Sequence, residues 1–152
     1  MSLQTQIQDD LTAAMKARDT ARVSALRMLL AAVKNRAVAD GAGPQGDLDD
    51  DVVEAVVASE VKRRREAAKA FRDAGRVESA DAEEAEAAVY AAYLPAQLTD
   101  DELAEVVDAA IAESGAQGPA DMGSAMKAAM AAVAGRADGS RVSAIVKERL
   151  GR

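Results

Sequence analysis

The apolar residues of this 152-residue chain recur at every third or fourth position, and no stretch alternates apolar and polar residues at every second position. The first spacing is that of one face of an α-helix, whereas the second would indicate a β-strand. Alanine, the strongest helix former, accounts for 38 residues. We therefore predict an all-α protein without a sheet.

Proline and glycine divide this helical pattern into seven predicted helices. Residues 40–46 carry three glycines and Pro44, which predicts a flexible loop after the second helix. Pro95 stops the fourth helix, and we place a domain boundary there. The sequence thus predicts an N-terminal four-helix bundle in residues 1–94 and a small three-helix C-terminal tail domain in residues 95–152.

Residues with capping side chains stand at the expected helix starts. Ser2 precedes the first helix, Asp19 or Thr20 precedes the second, and Thr99 and Glu102 have the spacing of a capping box. The first two helices each carry an apolar stripe that we expect in the core. These stripes are Leu3, Ile7, Leu11, Ala14 and Met15, and then Val23, Leu26, Leu30, Val33 and Ala37.

The third predicted helix, residues 52–74, is apolar over nearly half its circumference, so we expect it in the middle of the bundle. Glu60 and Arg64 project into this apolar face, and we favour a structural ion pair over a functional site. A basic stripe flanks the face: Lys62, Arg65, Lys69, Arg72 and Arg76. The stripe is either a track for phosphates or an acidic partner, or, as we favour, a solvated face. The neutralising residues would then be Glu83, Glu84 and Glu86 of the next helix.

The residue types exclude several kinds of chemistry. Neither cysteine nor histidine occurs, which excludes disulfides, imidazole bases and thiolate or imidazole zinc sites. No acidic loop has calcium-binding spacing, so we expect no metal and no cofactor. A Ser–Lys pair such as Ser124 and Lys127 has a possible spacing for nucleophile and base, but residues three apart on a helix are commonplace. No segment has membrane-spanning length or a signal pattern, so we expect a cytoplasmic protein without membrane contact.

The net charge of −7 is segregated along the chain, and residues 115–152 carry six basic and three acidic side chains. An acidic total argues against DNA and other non-specific nucleic-acid binding but leaves room for local binding. Most of these basic residues lie in two short predicted helices, residues 123–150, joined at residues 135–139. The methionines there are either a peptide-binding surface or, as we favour, adaptable core filler. They are Met122, Met126 and Met130.

Several short motifs stand in a characteristic order along the whole chain. They are Arg27-Met28-Leu29-Leu30 with Lys34-Asn35, Glu60-Val61-Lys62-Arg63-Arg64, Phe71 with Ala74-Gly75-Arg76, Tyr93-Leu94-Pro95 with Gln97-Leu98, Gly123 with Met126-Lys127, and Gly135-Arg136-Ala137-Asp138-Gly139. In this order and spacing the chain resembles the YqeY family, also called the GatB/YqeY family.

That family is similar to two proteins of tRNA charging: the tail of the B subunit of the tRNA-dependent glutamyl/aspartyl amidotransferase, and the appended N-terminal domain of some glutaminyl-tRNA synthetases. The resemblance implies that the small helical tail touches the body of tRNA. It also carries the label of a carbon–nitrogen ligase with glutamine as amido-N-donor. The chain has neither the ATP-holding cradle nor the amidase of that enzyme, so we expect no catalysis by the chain alone.

Three functions stay open. The first is an RNA-contacting module, in which the cations would sit on phosphate or ribose and a glycine would let a backbone approach closely. Its candidate residues are Gly123, Lys127, Arg136, Arg141 and Lys147. For Gly123 we favour tight helix packing instead. The RNA-contacting module could also act on a tRNA-charging complex. The second function is a protein–protein adaptor without RNA, in which the basic stripe from Lys62 to Arg76 and the acidic stretch from Asp100 to Glu113 would dock complementary partners. The third, least favoured, is the ligase. The sequence leaves the oligomeric state open.

Overall fold

The computed structural model describes residues 1–151, which hold seven α-helices, one short 3₁₀ turn and no β-strand. The all-α prediction is therefore confirmed. The helices are α1 (Leu3–Lys16), α2 (Thr20–Ala39), α3 (Asp50–Asp73), α4 (Val77–Ala91), α5 (Asp100–Ser114), α6 (Met122–Val133) and α7 (Gly139–Leu150). None of these described helices combines the length and the apolar character that crossing a membrane would need.

The starts of α1, α2 and α5 are fixed by the predicted capping side chains. The Ser2 hydroxyl accepts the backbone N–H of Thr5 at 3.1 Å, and the Asp19 carboxylate accepts that of Arg22 at 3.1 Å. Thr99 and Glu102 form both halves of the capping box, at 3.2 and 2.9 Å. Each cap satisfies backbone donors that the first helical turn leaves without partners, which is why these starts follow from local sequence.

Contacts divide the chain into two compact units, the first from Met1 to Leu94 and the second from Pro95 onward. In the first unit α3 contacts α1, α2 and α4, and α3 and α4 form the most extensive pair. The expected central position of α3 is therefore confirmed. The side chains buried most completely in this unit come from all four helices: Ile7, Leu26, Leu29, Val33, Val53, Val57 and Tyr90.

Two predictions about this core are wrong. Met15, placed on the buried stripe of α1, is 44% exposed, because α1 turns Leu3, Ile7 and Ala14 toward the core instead. The helical period also predicts Ala70 and Ala74 on the apolar side of the third helix, but both are exposed. The helical period of the apolar residues defines a broad apolar side of a helix. The neighbouring helices determine which part of that side is buried.

The second unit packs α5, α6 and α7 around its own core. Its completely buried side chains are Ala125, Ala129, Val133, Val107, Val142 and Val146, with Leu103 nearly so. Met122 and Met126 pack against this core, so the filler interpretation is confirmed for them, whereas Met130 is 39% exposed. The backbone N–H of Leu98 donates to the carbonyl of Arg136 at 2.8 Å and fixes the turn before α7 against the start of α5.

Candidate functional site

Arg136 lies in the turn between α6 and α7 and closes the end of α6. Its Nε donates to the carbonyl of Val133 at 2.9 Å, and its Nη2 donates to that of Ala132 at 3.0 Å. Carbonyls in the last turn of a helix have no partner within the helix, so a cationic donor there satisfies both hydrogen bonding and the helix dipole. The guanidinium of Arg136 therefore has a structural task in the tail.

Arg141, in the first turn of α7, ties this helix to the start of α5. Its Nη2 donates to the carbonyl of Leu98 at 3.1 Å and to the carboxylate of Asp100 at 2.8 Å. Arg149 makes a second bridge between the same two helices, to Asp108 at 2.8 Å. Two basic side chains of α7 are thus paired with carboxylates inside the second unit. Neither pair is predictable from sequence pattern, because each joins residues 41 positions apart.

Lys127 and Lys147 are the two candidate cations that no carboxylate neutralises among the described residues. Both are exposed, and neither has a hydrogen-bond or ion-pair partner within residues 1–151. Lys127 lies in the middle of α6, and Lys147 lies in the last turn of α7. The structure therefore divides the four predicted RNA-binding cations into two that hold the tail together and two that face solvent.

Gly123 is exposed in the first turn of α6, four residues before Lys127 and on the same side of the helix. A Cβ added at Gly123 would meet no atom within 4 Å. The favoured interpretation of Gly123 as a tight helix contact is therefore wrong, because nothing in the described chain packs on it. The open space leaves the α6 backbone accessible there.

The Glu60–Arg64 pair is structural, as predicted. Arg64 lies 3.4 Å from Glu60 and 3.0 Å from Glu86 of α4, and its guanidinium carbon is 5.9 Å from the ring centre of Tyr90. Burial alone would lower the pKa of Arg64, but Tyr90, Glu60 and Glu86 outweigh it and the pKa is raised. This buried network joins α3 to α4 and leaves Arg64 charged at all physiological pH values.

The basic stripe of α3 is neutralised along only part of its length. Lys69 pairs with Asp73 at 2.7 Å, and Arg72 lies 3.4 Å from Asp81 and 3.9 Å from Glu84. The expected neutralisation by α4 is thus confirmed for Glu84, whereas Glu83 and Glu86 approach Arg64 instead. Arg76 stacks over Phe71 at 5.1 Å. Lys62 and Arg65 are exposed and have no partner among the described residues.

Two surface depressions lie in the first unit. A groove of about 610 Å³ opens where α1 turns into α2, and we call it the α1–α2 groove; its lining includes Met15, Val23, Met28, Arg18 and Arg27. A smaller, polar cleft of about 260 Å³ lies between α2 and α3. Within residues 1–151 no group of acidic side chains is arranged to hold a metal ion.

Replacing Arg141 by methionine is expected to destabilise the second unit by about 1–2 kcal/mol, because the substitution removes two hydrogen bonds from a charged donor that is partly screened by water. Amide hydrogen exchange measures this locally, and protection of α5 and α7 should fall about five- to thirtyfold. Lys147→Met, on the same helix but without a partner, serves as the control. Unchanged protection in Arg141→Met would remove the structural role assigned to this side chain.

Nearly the whole chain matches a known protein family. A search of curated proteins returns no significant match. The family model described as "Yqey-like protein" matches residues 4–150, which covers all seven helices except for the first residue of α1. The match also spans both compact units and every candidate residue named above. The chain therefore belongs to the YqeY-like protein family.

Proposed function

We propose that this chain is a non-catalytic helical binding module of the cytoplasm, and that its residues 95–152 are a tail domain of the GatB/YqeY type. In this proposal the tail contacts tRNA, alone or within a tRNA-charging complex. Gly123, Lys127 and Lys147 would contact the RNA. Arg136 and Arg141 would act as positioning residues that hold α6 and α7 in place.

The observation that carries this proposal is the exposed face of α6. Gly123 leaves its backbone open, Lys127 presents an unpaired ammonium one turn later, and Ala131 continues the same exposed side with a short side chain. A sugar–phosphate backbone can approach such a surface closely and be held by a cation without its sequence being read. The chain has no tryptophan and only three other aromatic residues, which disfavours recognition by base stacking.

Ligase chemistry by the chain alone has little support. The Ser124 hydroxyl, the candidate nucleophile of the Ser124–Lys127 pair, donates to the carbonyl of Asp121 at 3.0 Å, which is a local helix-start interaction. Lys127 makes no hydrogen bond to it among the described residues, so nothing here activates the hydroxyl as a nucleophile. We expect no release of ammonia when the purified chain is incubated with glutamine, and sustained release would refute the non-catalytic assignment.

Replacing Lys127 and Lys147 together by alanine is expected to weaken binding of bulk tRNA several-fold at low salt. Each lysine that neutralises a phosphate contributes about one unit to the slope of log affinity against log salt concentration, so the slope should fall by about two. Filter binding or fluorescence anisotropy over a salt series measures both quantities. Circular dichroism confirms that the double variant is folded.

The matched control is Lys62→Ala with Arg65→Ala, which removes the same charge from exposed, unpaired positions on α3. This variant should bind tRNA as the wild type does. Equal losses in both double variants would mean that only net charge matters and would contradict a tail site. A loss confined to the α3 variant would move the RNA contact to the basic stripe.

The second candidate function is a protein adaptor, and the α1–α2 groove of the first unit is the observation that favours it. The two functions use different surfaces and are compatible. The groove belongs to the first unit and the exposed face of α6 belongs to the second, so the two surfaces share no residue.

A further inference from the structure

The α1–α2 groove is a surface that the proposed RNA contact does not use. Three side chains give it an apolar lining: Met15 and Met28 are 44% and 43% exposed, and Val23 is partly buried. A well-packed pair of helices would normally cover such side chains, so their exposure at one place forms an apolar patch on an otherwise charged surface. Methionine adapts its shape to a partner because its side chain is flexible and polarisable.

The rim of the groove is cationic. Residues 15–28 hold four basic side chains and one acidic side chain. Arg18 and Arg27 line the groove, and neither has a carboxylate partner within residues 1–151. Nη2 of Arg27 lies 3.6 Å from Sδ of Met15, so this guanidinium extends over the apolar lining. The one carboxylate of the segment, Asp19, is occupied in capping α2.

Arg18 also holds an unfavourable backbone conformation. Its φ is +58°, in the left-handed region that glycine adopts at helix ends without strain. An arginine in this position is less stable than a glycine would be, and its side chain stands at the mouth of the groove. Backbone strain of this kind is concentrated at functional sites, and here it accompanies an unpaired guanidinium.

We infer that the α1–α2 groove docks an acidic amphipathic helix of a partner protein. Apolar side chains spaced one helical turn apart on that helix would lie against Met15, Val23 and Met28. Its flanking carboxylates would pair with Arg18 and Arg27. The two unpaired arginines favour an acidic partner, because the charges are complementary. The apolar lining favours a helix with apolar side chains on one face and disfavours RNA, which is a polyanion without such side chains.

The test uses the full chain and three synthetic helical peptides of equal length. The first carries leucine at one-turn spacing flanked by glutamate, the second replaces glutamate by lysine, and the third replaces leucine by alanine. We expect the glutamate–leucine peptide to bind at least tenfold more tightly than the other two in fluorescence anisotropy. In ¹³C-methyl spectra this peptide should shift the methyl signals of Met15 and Met28. The methyl signals of Met122, Met126 and Met130 in the second unit serve as internal references.

Two variants locate the binding. Arg18→Gly removes the guanidinium and relieves the left-handed backbone, so it should lower affinity while leaving thermal stability equal or higher. Combined with Arg27→Gln, it should weaken the glutamate–leucine peptide at least tenfold. Arg65→Gln, with the same charge change as Arg27→Gln at an exposed position, should stay within twofold of the wild type.

The proposal fails if the glutamate–leucine peptide leaves the Met15 and Met28 signals unchanged up to millimolar concentration. Equal binding of the lysine peptide would also overturn it, because charge complementarity would then play no part. Displacement of the peptide by tRNA, with the same two methyl signals shifting, would make the groove a polyanion site instead. None of these results depends on Lys127 or Lys147, so the inference and the proposed tail contact stand or fall separately.

Discussion

Replacing Arg64 by leucine is expected to lower the free energy of unfolding of the first unit by about 3–5 kcal/mol, the range found when one partner of a buried ion pair is removed. Arg64 is the cation that Glu60, Glu83 and Glu86 share, and its side chain is only 17% exposed. Without it, three carboxylates lie close together at the contact between α3 and α4, and the exposed Arg63 compensates only Glu60.

Tyrosine fluorescence during urea denaturation measures this effect specifically, because both tyrosines of the chain, Tyr90 and Tyr93, belong to the first unit. Arg65→Leu is the matched control: it removes the same charge from the next position, which is exposed and unpaired, and should change stability by less than about 0.5 kcal/mol. The double variant Glu60→Leu with Arg64→Leu should recover part of the loss. Equal destabilisation by Arg64→Leu and Arg65→Leu would contradict the network.

Above pH 10 the first unit is expected to lose stability steeply, by up to about 2.7 kcal/mol per pH unit. Burial raises the pKa of Tyr93, as does its hydrogen bond to Asp10. The pKa of Tyr90 is also raised, by burial and by the charges of Glu86 and Glu60, although the neighbouring Arg64 lowers it. The unfolded chain therefore releases two phenolic protons that the folded chain keeps. Stability that is fully present below the ordinary tyrosine pKa of about 10 is lost as pH rises toward the folded-state values.

Tyr93→Phe isolates this effect because it removes one of the two buried phenols and leaves the aromatic ring. Urea denaturation followed by circular dichroism at pH 9, 10 and 11 should give a loss of stability about half that of the wild type, near 1.4 kcal/mol in total between pH 9 and pH 11. Lys69, whose pKa is raised by its bond to Asp73, contributes with the same sign in both proteins and does not affect the comparison. Identical slopes would show that Tyr93 does not titrate differently on folding.

The candidate site was predictable from sequence in its residue types but not in their tasks. The sequence does not distinguish the roles of four cationic side chains, and only the fold does so. They are Arg136, Arg141, Lys127 and Lys147. Arg136 meets the open carbonyls of α6, and Arg141 meets Asp100, 41 positions away. Neither contact produces a periodic pattern in the sequence. Gly123 shows the same limit, since a glycine in a helix predicts close approach but does not say whether the neighbour is this chain or another molecule.

The α1–α2 groove was missed for a related reason. The apolar stripe of α1 includes both Ala14 and Met15, which differ by 100° around the helix and are equally compatible with burial by period alone. Pairing with α2 covers Ala14 and leaves Met15 at the surface. Only a structure shows that Met15 and Met28 meet there beside two unpaired arginines.

Local sequence is sufficient to predict the seven helices, the capped starts of α1, α2 and α5, the loop at residues 40–46 and the paired state of Glu60 and Arg64. These features depend on interactions within a few residues or on the high cost of burying an isolated charge. The packing of the helices establishes which arginines are bound, which cations face solvent and where the apolar surface stays uncovered. Those properties depend on contacts between helices far apart in sequence, to which neither period nor composition is sensitive.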